Sequence, residues 1–481
     1  MTLENYIVTD LLRFPKTGLT GRRKILTNVR EITRSNVRDV VEQALAVHAI
    51  NAAEIEYLWQ YYKGRQDVLG KEKLVRESIN HKVIVNRANE IVTFKTAYLL
   101  NEPIQYISHG SDETVSDGVN TLNEFMRAED KESKDKEIVD WMHICGVAER
   151  LVLPDPTENY DGAPFYVTTL DPRVAFAIYY SGIGQKQLAG VILQRDEDGK
   201  RFATVYTKNK IFVLRGDSLT EYGHILGGIP LIEYINNDAR MGAFEPVLSI
   251  LNSINQLESD ACDSVTDFVN GFDVFQNCDI DDGVYGELAI GGKAVKIKTV
   301  VQGMEAKVYR VASELNQSGT QTRIDDMTQA YLTICGMPNR NGGSSTSDTG
   351  TAVIYRDGFA EAESRAKDTE KTFKRSEREF LRIVLNICAA KSNLRLRLSD
   401  IETEFLRKNL SNMQSKVQVL CELLNNPKVH PKLAFEVAGL FQDSEEAYRI
   451  SMQYYQEQLA AAEESLTQMV NEQHGRDGAV E

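Results

Sequence analysis

The spacing of apolar residues changes twice along this 481-residue chain, and these changes limit the folds that it can adopt. Residues 36–60 and 80–100 carry apolar side chains at near-helical spacing, which predicts two amphipathic helices. Between about residues 149 and 236, short runs of β-branched and aromatic residues alternate with turn pairs such as Asp198-Gly199, which predicts an antiparallel sheet. Helical spacing then returns. The sequence therefore predicts an α+β fold that is mainly helical.

Acidic residues are concentrated in two parts of the chain. Residues 241–292 contain ten acidic residues and no Lys or Arg, and residues 443–481 contain nine acidic residues and two Arg. These two segments account for the formal net charge of −15. Strong overall acidity argues against a protein that wraps DNA through a broad basic surface.

The sequence predicts no zinc site, no cofactor and no membrane segment. Its six Cys form no C-x-x-C pair and its seven His form no H-E-x-x-H or H-x-x-x-H pair, which argues against zinc, a redox pair or a disulfide framework. The glycine-rich residues 286–294 lack the Ser or Thr of a phosphate loop. We find no apolar run long enough to span a membrane and no secretion signal, so we expect an intracellular protein.

One predicted helix, at residues 244–270, carries a row of carboxylates. Its apolar residues share one face, while Asp260, Asp263 and Asp267 lie on another face at i, i+3 and i+7. This row is consistent with a solvated surface, with the wall of a water-filled channel that does not retain a polyanion, or with a metal site.

A small insertion, a second helix and a loop follow. The pattern of residues 272–312 predicts a small α/β insertion, and that of residues 319–335 predicts another helix. Together with the helix at residues 244–270, they would form a protruding arm. Residues 337–350 are rich in Gly, Ser and Asn, which predicts a mobile loop. Residues 351–390 contain no Pro and predict a long charged helix, and LRLRLSD at residues 394–400 predicts a short strand.

Two stretches carry a family resemblance. YYKGRQDVLGK at residues 61–71 and VNRANEIVTFKTAYLLNEPIQY at residues 85–106 resemble the N-terminal signature of portal proteins from long-tailed bacteriophages of Gram-positive hosts. The resemblance implies a homo-oligomeric ring, usually a dodecamer, at one capsid vertex, through which double-stranded DNA is packaged and later ejected. It also implies a virion protein assembled in the host bacterial cytoplasm, without catalytic activity or cofactor. The implied partners are terminase, head-completion or adaptor proteins, and major capsid and scaffolding proteins.

The resemblance also divides the chain into parts. These are a wing at residues 1–243, a first stem helix at 244–270, a clip at 271–318, a second stem helix at 319–336, a tunnel loop at 337–350, a long wing helix with a short strand at 351–411, a helical crown at 412–460 and a disordered tail at 461–481.

Three groups of candidate site residues follow from this division. The acidic channel-lining residues of the stem are Glu258, Asp260, Asp263 and Asp267. The tunnel-loop residues closest to DNA are Asn339, Arg340, Asn341, Gly342, Gly343, Ser344, Ser345 and Thr346. The clip residues for partner docking are Asp279, Asp281, Asp282, Glu287, Lys293, Lys296 and Lys298. Two alternatives stay open: a metal-dependent nucleic-acid-processing enzyme that uses the acidic helix 258–267, and a capsid or scaffold subunit that conducts nothing.

Overall fold

The computed structural model describes residues 21–74, 77–109, 113–156, 162–269, 272–279, 298–299, 303, 305, 307–311, 317–339, 358–407, 410–441 and 444–477. The elements of the first half are β1 Ile25–Thr27, α1 Val37–Tyr62, α2 Arg87–Leu99, β2 Gln105–Ser108, α3 Glu113–Ala128, α4 Lys131–Cys145, β3 Val147–Pro154, β4 Phe165–Leu170, β5 Ala175–Tyr180, β6 Gln187–Arg195, β7 Arg201–Tyr206, β8 Lys210–Arg215, β9 Ser218–Gly223 and β10 Leu231–Ile235. Those of the second half are α5 Leu248–Val269, β11 Phe272–Gln276, β12 Cys278–Asp279, β13 Lys298–Thr299, β14 Lys307–Val311, α6 Gln317–Cys335, α7 Phe359–Lys391, β15 Ile401–Glu404, α8 Leu410–Leu424, α9 Pro431–Ala438 and α10 Ser444–Asp477.

Two sheets occupy the part of the chain that was predicted to be β-rich. Strands β5 to β9 form an antiparallel meander, and β1 adds to its edge in parallel with β5, which gives the order β1-β5-β6-β7-β8-β9. A smaller antiparallel sheet has the order β10-β3-β4. The predicted turn at Asp198-Gly199 joins β6 to β7, and Gly199 has the positive φ of +77° that such a turn favours. The prediction of an α+β fold is confirmed.

Three large groups of packed apolar side chains hold the helices on the sheets and on one another, and a fourth, smaller group lies between the two sheets. The first lies between α1 and the six-stranded sheet, where Val37 and Val40 belong to the same cluster as Phe212. The second lies between the smaller sheet and the helices α3, α4 and α7. The third joins α1, α2, α5 and α6. Helix α7 therefore packs on the smaller sheet, while the α5–α6 pair is rooted on α1 and α2.

Helices α5 and α6 carry a small sheet at their far ends. Strand β11 follows α5 and pairs antiparallel with β14, which precedes α6, and Phe272 lies opposite Val311. Strand β12 pairs with β13 farther along the same insertion. The last buried side chain described on α5 is Asp263, and the first on α6 is Ile324. The helix pair with its sheet therefore extends away from the three apolar groups as an arm.

Two predicted elements differ in their bounds. The helix predicted at residues 80–100 begins only at Arg87, because the amides of the preceding residues bond to α5 instead of continuing a helix. The strand predicted within residues 394–400 lies instead at Ile401–Glu404, where β2 supplies its hydrogen-bonding partner. The leucines of residues 394–400 do pack on the core, but that segment is irregular and then 3-10 helical.

The prediction of a disordered tail is wrong over residues 461–477. Helix α10 continues to Asp477. The tail sequence lacks an apolar period, but residues 456–470 are rich in Ala, Glu, Gln, Leu and Met, which are strong helix formers. Absence of a core-facing stripe therefore did not mean absence of a helix. None of the described helices combines the length and the apolar character that a membrane crossing requires.

A buried group of charged residues joins five elements. Glu377 of α7 is fully buried, and its carboxylate lies 2.9 Å from Lys131 Nζ and 3.4 Å from Arg150 Nη1. The hydroxyls of Tyr106 and Tyr234 donate to the same carboxylate at 2.5 and 2.6 Å. The five residues belong to α7, α4, β3, β2 and β10.

A second carboxylate completes the group. Asp135 lies 2.6 Å from Lys131 and 2.5 Å from Arg150, so two bases face two acids out of contact with water. Burial alone would raise the pKa of Glu377, but Lys131, Arg150 and the two hydroxyls outweigh it and lower the pKa to about 2. Because a lone buried charge is strongly unfavourable, each member requires the others.

Replacing Glu377 with Gln is expected to lower the free energy of unfolding by about 3 kcal/mol at neutral pH, since two buried bases then share one acid. A carboxyl group whose pKa is lowered on folding stabilises the protein above its unfolded pKa and stops doing so as the pH falls through the folded value. The difference between the two proteins should therefore shrink as the pH falls from 4.5 to about 2. Denaturant unfolding at several pH values measures both effects.

The control for this experiment is Glu379→Gln. Glu379 lies on the outer side of the same helix, about half exposed, and pairs with Arg382 at 2.5 Å. Exposed pairs of this kind contribute less than about 1 kcal/mol. Equal losses of stability in the two variants would contradict the role assigned to the buried group.

Candidate functional site

The acidic helix α5 is bound along its length by the chain segment that joins α1 to α2. The amides of His81, Val83 and Val85 donate to Asp263 Oδ1, Ser259 Oγ and Asn255 Oδ1 at 2.7, 2.9 and 2.8 Å. Alternate residues of the segment thus meet every fourth residue of the helix, and the two run antiparallel. The spacings agree, since two extended residues advance about 6.6 Å and four helical residues about 6 Å.

Side-chain amides fix the base of this contact. Asn255 is fully buried, and its Nδ2 donates to Gln66 Oε1. Gln66 Nε2 in turn donates to Asn86 Oδ1 at 3.0 Å and to the Tyr61 carbonyl at 3.2 Å. Asn86 also caps α2, because its side chain accepts from the Asn89 amide at 3.3 Å. The end of α1, the start of α2 and the middle of α5 therefore form one hydrogen-bonded unit.

Two tyrosines and an aspartate extend the unit toward the start of α5. Tyr61 donates to Asn252 Oδ1 at 2.8 Å, and Asn252 Nδ2 donates to Asp67 Oδ2 at 2.8 Å. Tyr57 donates to the same aspartate at 3.1 Å. Burial, with the charge of Asp67 as a further cause, raises the pKa of both tyrosines far above the ordinary value. Both phenols therefore remain neutral donors at physiological pH.

Asp263 is the charged end of the unit. Its carboxylate lies 2.9 Å from Lys71 Nζ, 3.4 Å from Lys73 Nζ and 2.8 Å from His81 Nδ1, and its side chain is only 6% exposed. Burial alone would raise the pKa of Asp263. The hydrogen bonds from His81 and Lys71, together with the charge of Lys71, outweigh that effect and hold the pKa well below its ordinary value.

The predicted row of channel-facing carboxylates is therefore wrong for Asp263, which faces bases of its own chain. Asp260 remains 52% exposed and lies 2.7 Å from Lys71. Glu258 is half-buried and acts electrostatically on Arg87. The backbone of Asp267 belongs to α5, and its side chain lies outside the described part. The structure brings Asp260 and Asp263 together at Lys71 and does not present the row as one open face.

Comparison with protein families identifies the chain. Residues 43–468 match the family described as phage portal protein, SPP1 Gp6-like. The match spans most of the 481 residues, including the whole segment that binds α5. This chain belongs to the phage portal protein family. A comparison with curated proteins found no match.

Membership of this family confirms the resemblance to phage portal proteins, while the Gram-positive host stays a prediction. Portal proteins are structural components of the virion at a capsid vertex, where they form homo-oligomers. The structure shows what part of the signature stretch does in this chain: Tyr61, Gln66, Asp67, Lys71 and Asn86 all take part in holding α5.

The other candidate residues of this portal protein are described only in part. Asp279 and Lys298 lie opposite each other in the β12–β13 pair. Asn339 follows α6 and is half-buried. The remaining candidates lie outside the described residues: in the predicted clip, Asp281, Asp282, Glu287, Lys293 and Lys296, and in the predicted tunnel loop, Arg340, Asn341, Gly342, Gly343, Ser344, Ser345 and Thr346.

Sequence reasoning missed the bases that balance α5. Residues 241–292 contain no Lys or Arg, and the balancing charges come from Lys71, Lys73 and His81 about 190 positions earlier. The available signal was the position of Lys71 at the end of the first stretch that carried the resemblance, with Lys73 two residues after it.

Replacing Ser259 with Ala is expected to leave the Val83 amide without its acceptor and to weaken the contact by about 1–2 kcal/mol. Hydrogen exchange at residues 81–85 should then be faster, which mass spectrometry of the exchanged peptides measures. Ser253→Ala is the matched control, because Ser253 makes the same bond to its i−4 carbonyl at 2.8 Å as Ser259 makes at 2.7 Å. Equal exchange at residues 81–85 in the two variants would contradict the hydrogen bonds assigned between this segment and α5.

Proposed function

We propose that this portal protein forms a closed ring, usually a dodecamer, in which α5 and α6 of each copy surround a channel for double-stranded DNA. The observation that carries the proposal is the arm: two packed helices rooted in the core and joined at their far ends by a small sheet. The hydrogen-bonded segment at residues 61–86 supports it, because such an arm needs a fixed direction if many copies are to line one axis.

Electrostatics favour a channel that DNA passes without adhering. Asp260 is exposed on α5, and Asp325 and Asp326 are exposed on α6. Rotational symmetry multiplies each of these charges by the number of subunits, so a few carboxylates per copy give a strongly negative wall. Of the predicted lining residues, we retain Glu258, Asp260 and Asp267, and we assign Asp263 to the support of the arm.

The segment between α6 and α7 supports the assignment of a tunnel loop. A Cβ atom added to Gly358 would lie 3.4 Å from Pro338 Cα, so the two ends of the segment meet. The chain therefore leaves and returns at one point near the root of the arm. We propose that Asn339 to Thr346 project toward the channel axis, where Arg340 supplies one phosphate contact per subunit.

The clip and the outer parts of the ring are the proposed docking surfaces. We assign residues 271–318, including Asp279, Glu287 and Lys298, to contacts with terminase and later with head-completion or adaptor proteins. Major capsid and scaffolding proteins would contact the outside of the ring. We propose that assembly takes place in the host bacterial cytoplasm and that the protein then remains in the virion.

The competing proposal of a metal-dependent enzyme has less support. Lys71 Nζ lies between Asp260 and Asp263 at 2.7 and 2.9 Å, in the place that a shared cation would take. Within the described residues, no group of three or more His, Cys, Asp or Glu has the arrangement of a metal site.

Native mass spectrometry and electron microscopy of the purified chain test the proposal directly. We expect one closed assembly of a defined number of copies with a central opening. A chain that stays monomeric at the concentrations used for assembly would contradict the proposed function.

Replacing Asp260 and Asp267 with Lys is expected to slow DNA packaging while the ring remains intact, because each new base adds a phosphate contact in every subunit. The amount of DNA packaged in a terminase-driven assay measures the effect. The matched control replaces Glu197 and Asp198, exposed in the β6–β7 turn, with Lys. Packaging at the normal rate in the α5 variant would remove Asp260 and Asp267 from the channel wall.

A further inference from the structure

The three C-terminal helices bury very little of their own apolar surface. Among the described side chains of residues 416–462, only Ala434, Phe435 and Ala438 are buried, and all three belong to α9. Ten large apolar side chains of the same unit are at least 40% exposed: Val417, Val419, Leu424, Leu433, Val437, Phe441, Ile450, Tyr454, Tyr455 and Leu459. A helical unit of this size normally needs a buried apolar face to stay in place.

The contact between α9 and α10 shows which sides of the two helices are already used. Phe435 of α9 stacks on Phe441 with ring centres 5.5 Å apart and meets Tyr448 of α10 at 6.0 Å. Lys432 and Glu445 form an ion pair across the same contact at 2.5 Å. The side of α9 that carries Phe435 and the side of α10 that carries Tyr448 therefore face each other.

Each helix presents a second apolar stripe on its opposite side. Leu433 and Val437 lie two residues before and after Phe435, about 200° around the helix, and are 52% and 70% exposed. Ile450 lies two residues after Tyr448, with Tyr454 one turn farther, and these are 57% and 62% exposed. The α9–α10 layer thus carries one exposed apolar stripe on each of its two outer sides.

We propose that the α10 stripe, Ile450 and Tyr454, packs on the α9 stripe, Leu433 and Val437, of a second copy of this chain. Two different stripes on opposite sides of one layer suit a heterologous contact, in which every copy uses its α9 stripe for one neighbour and its α10 stripe for the other. Heterologous contacts close into rings when the rotation between copies allows it. The inference rests on the proposed ring and names which helices of neighbouring copies touch in the C-terminal unit.

Two stripe variants test this contact in the full chain. Leu433→Glu with Val437→Glu removes one side of the contact, and Ile450→Glu with Tyr454→Glu removes the other. We expect each variant alone to lose the ring, as measured by native mass spectrometry. In a mixture, the first variant still has its α10 stripe and the second still has its α9 stripe. These two stripes can pack on each other, so a species of two chains should form.

The control carries the same kind of change in another part of the molecule. Ile183→Glu with Ile225→Glu alters side chains that are even more exposed, in the β5–β6 turn and in the connection between β9 and β10, and should leave the ring intact. Rings formed by either stripe variant, or a mixture that gives no two-chain species, would overturn the inference. Absence of rings from the unaltered chain would instead overturn the proposed function.

A cross-linking variant covers the case in which a stripe variant fails to fold. Val437→Cys with Tyr454→Cys, in a chain whose exposed Cys421 is replaced with Ser, should give a ladder of covalently linked copies on oxidation. Each single cysteine should give none. Because the two positions lie on opposite sides of one layer, a linkage must join different copies. Only unlinked chains after oxidation of assembled rings would overturn the contact.

Discussion

The buried group around Glu377 is the constraint on which the arrangement of this chain depends. Apolar packing between α7 and the smaller sheet is compatible with many small shifts, since it has no preferred direction. Buried charges do not allow such shifts, because a shift that separates Glu377 from Lys131 or Arg150 leaves a buried charge without its counterion. Five elements from distant parts of the chain therefore have one mutual orientation, and the long helix α7 has one position on the sheet.

Polar contacts between distant residues also fix the orientation of the arm. Its root lies in an apolar cluster, but the register between α5 and the segment before α2 comes from acceptors at Asn255, Ser259 and Asp263. A slip of one residue along the segment would turn its donors away from all three. In the ring that we propose, this register determines where the exposed carboxylates of α5 point.

Local pattern was enough to predict the elements and the fold class, and not enough to predict the polar contacts. The periods of α1 and α5 and the Asp198-Gly199 turn depend on neighbouring residues alone. Glu377 belongs to a helix segment rich in both charges, which predicted a long charged helix and gave no sign of a buried carboxylate. Asp263 is similar: its bases are about 190 positions away, so a local charge count presents it as unbalanced. Contacts between distant residues have no period from which to be predicted.

The acidic residues of α5 therefore have two physical roles, and Lys71 contacts one residue of each kind. Lys71 binds Asp263 on its buried side and Asp260 on its exposed side, so one carboxylate supports the arm while its neighbour contributes to the surface field. The C-terminal unit differs from the arm, because its apolar stripes remain exposed in the single chain. A subunit built in this way has an arm whose direction is set within the chain and, by our inference, a C-terminal unit whose position is completed by neighbouring copies. In the proposed ring, closure can then adjust the outer contacts without disturbing the helices that we propose to face the DNA.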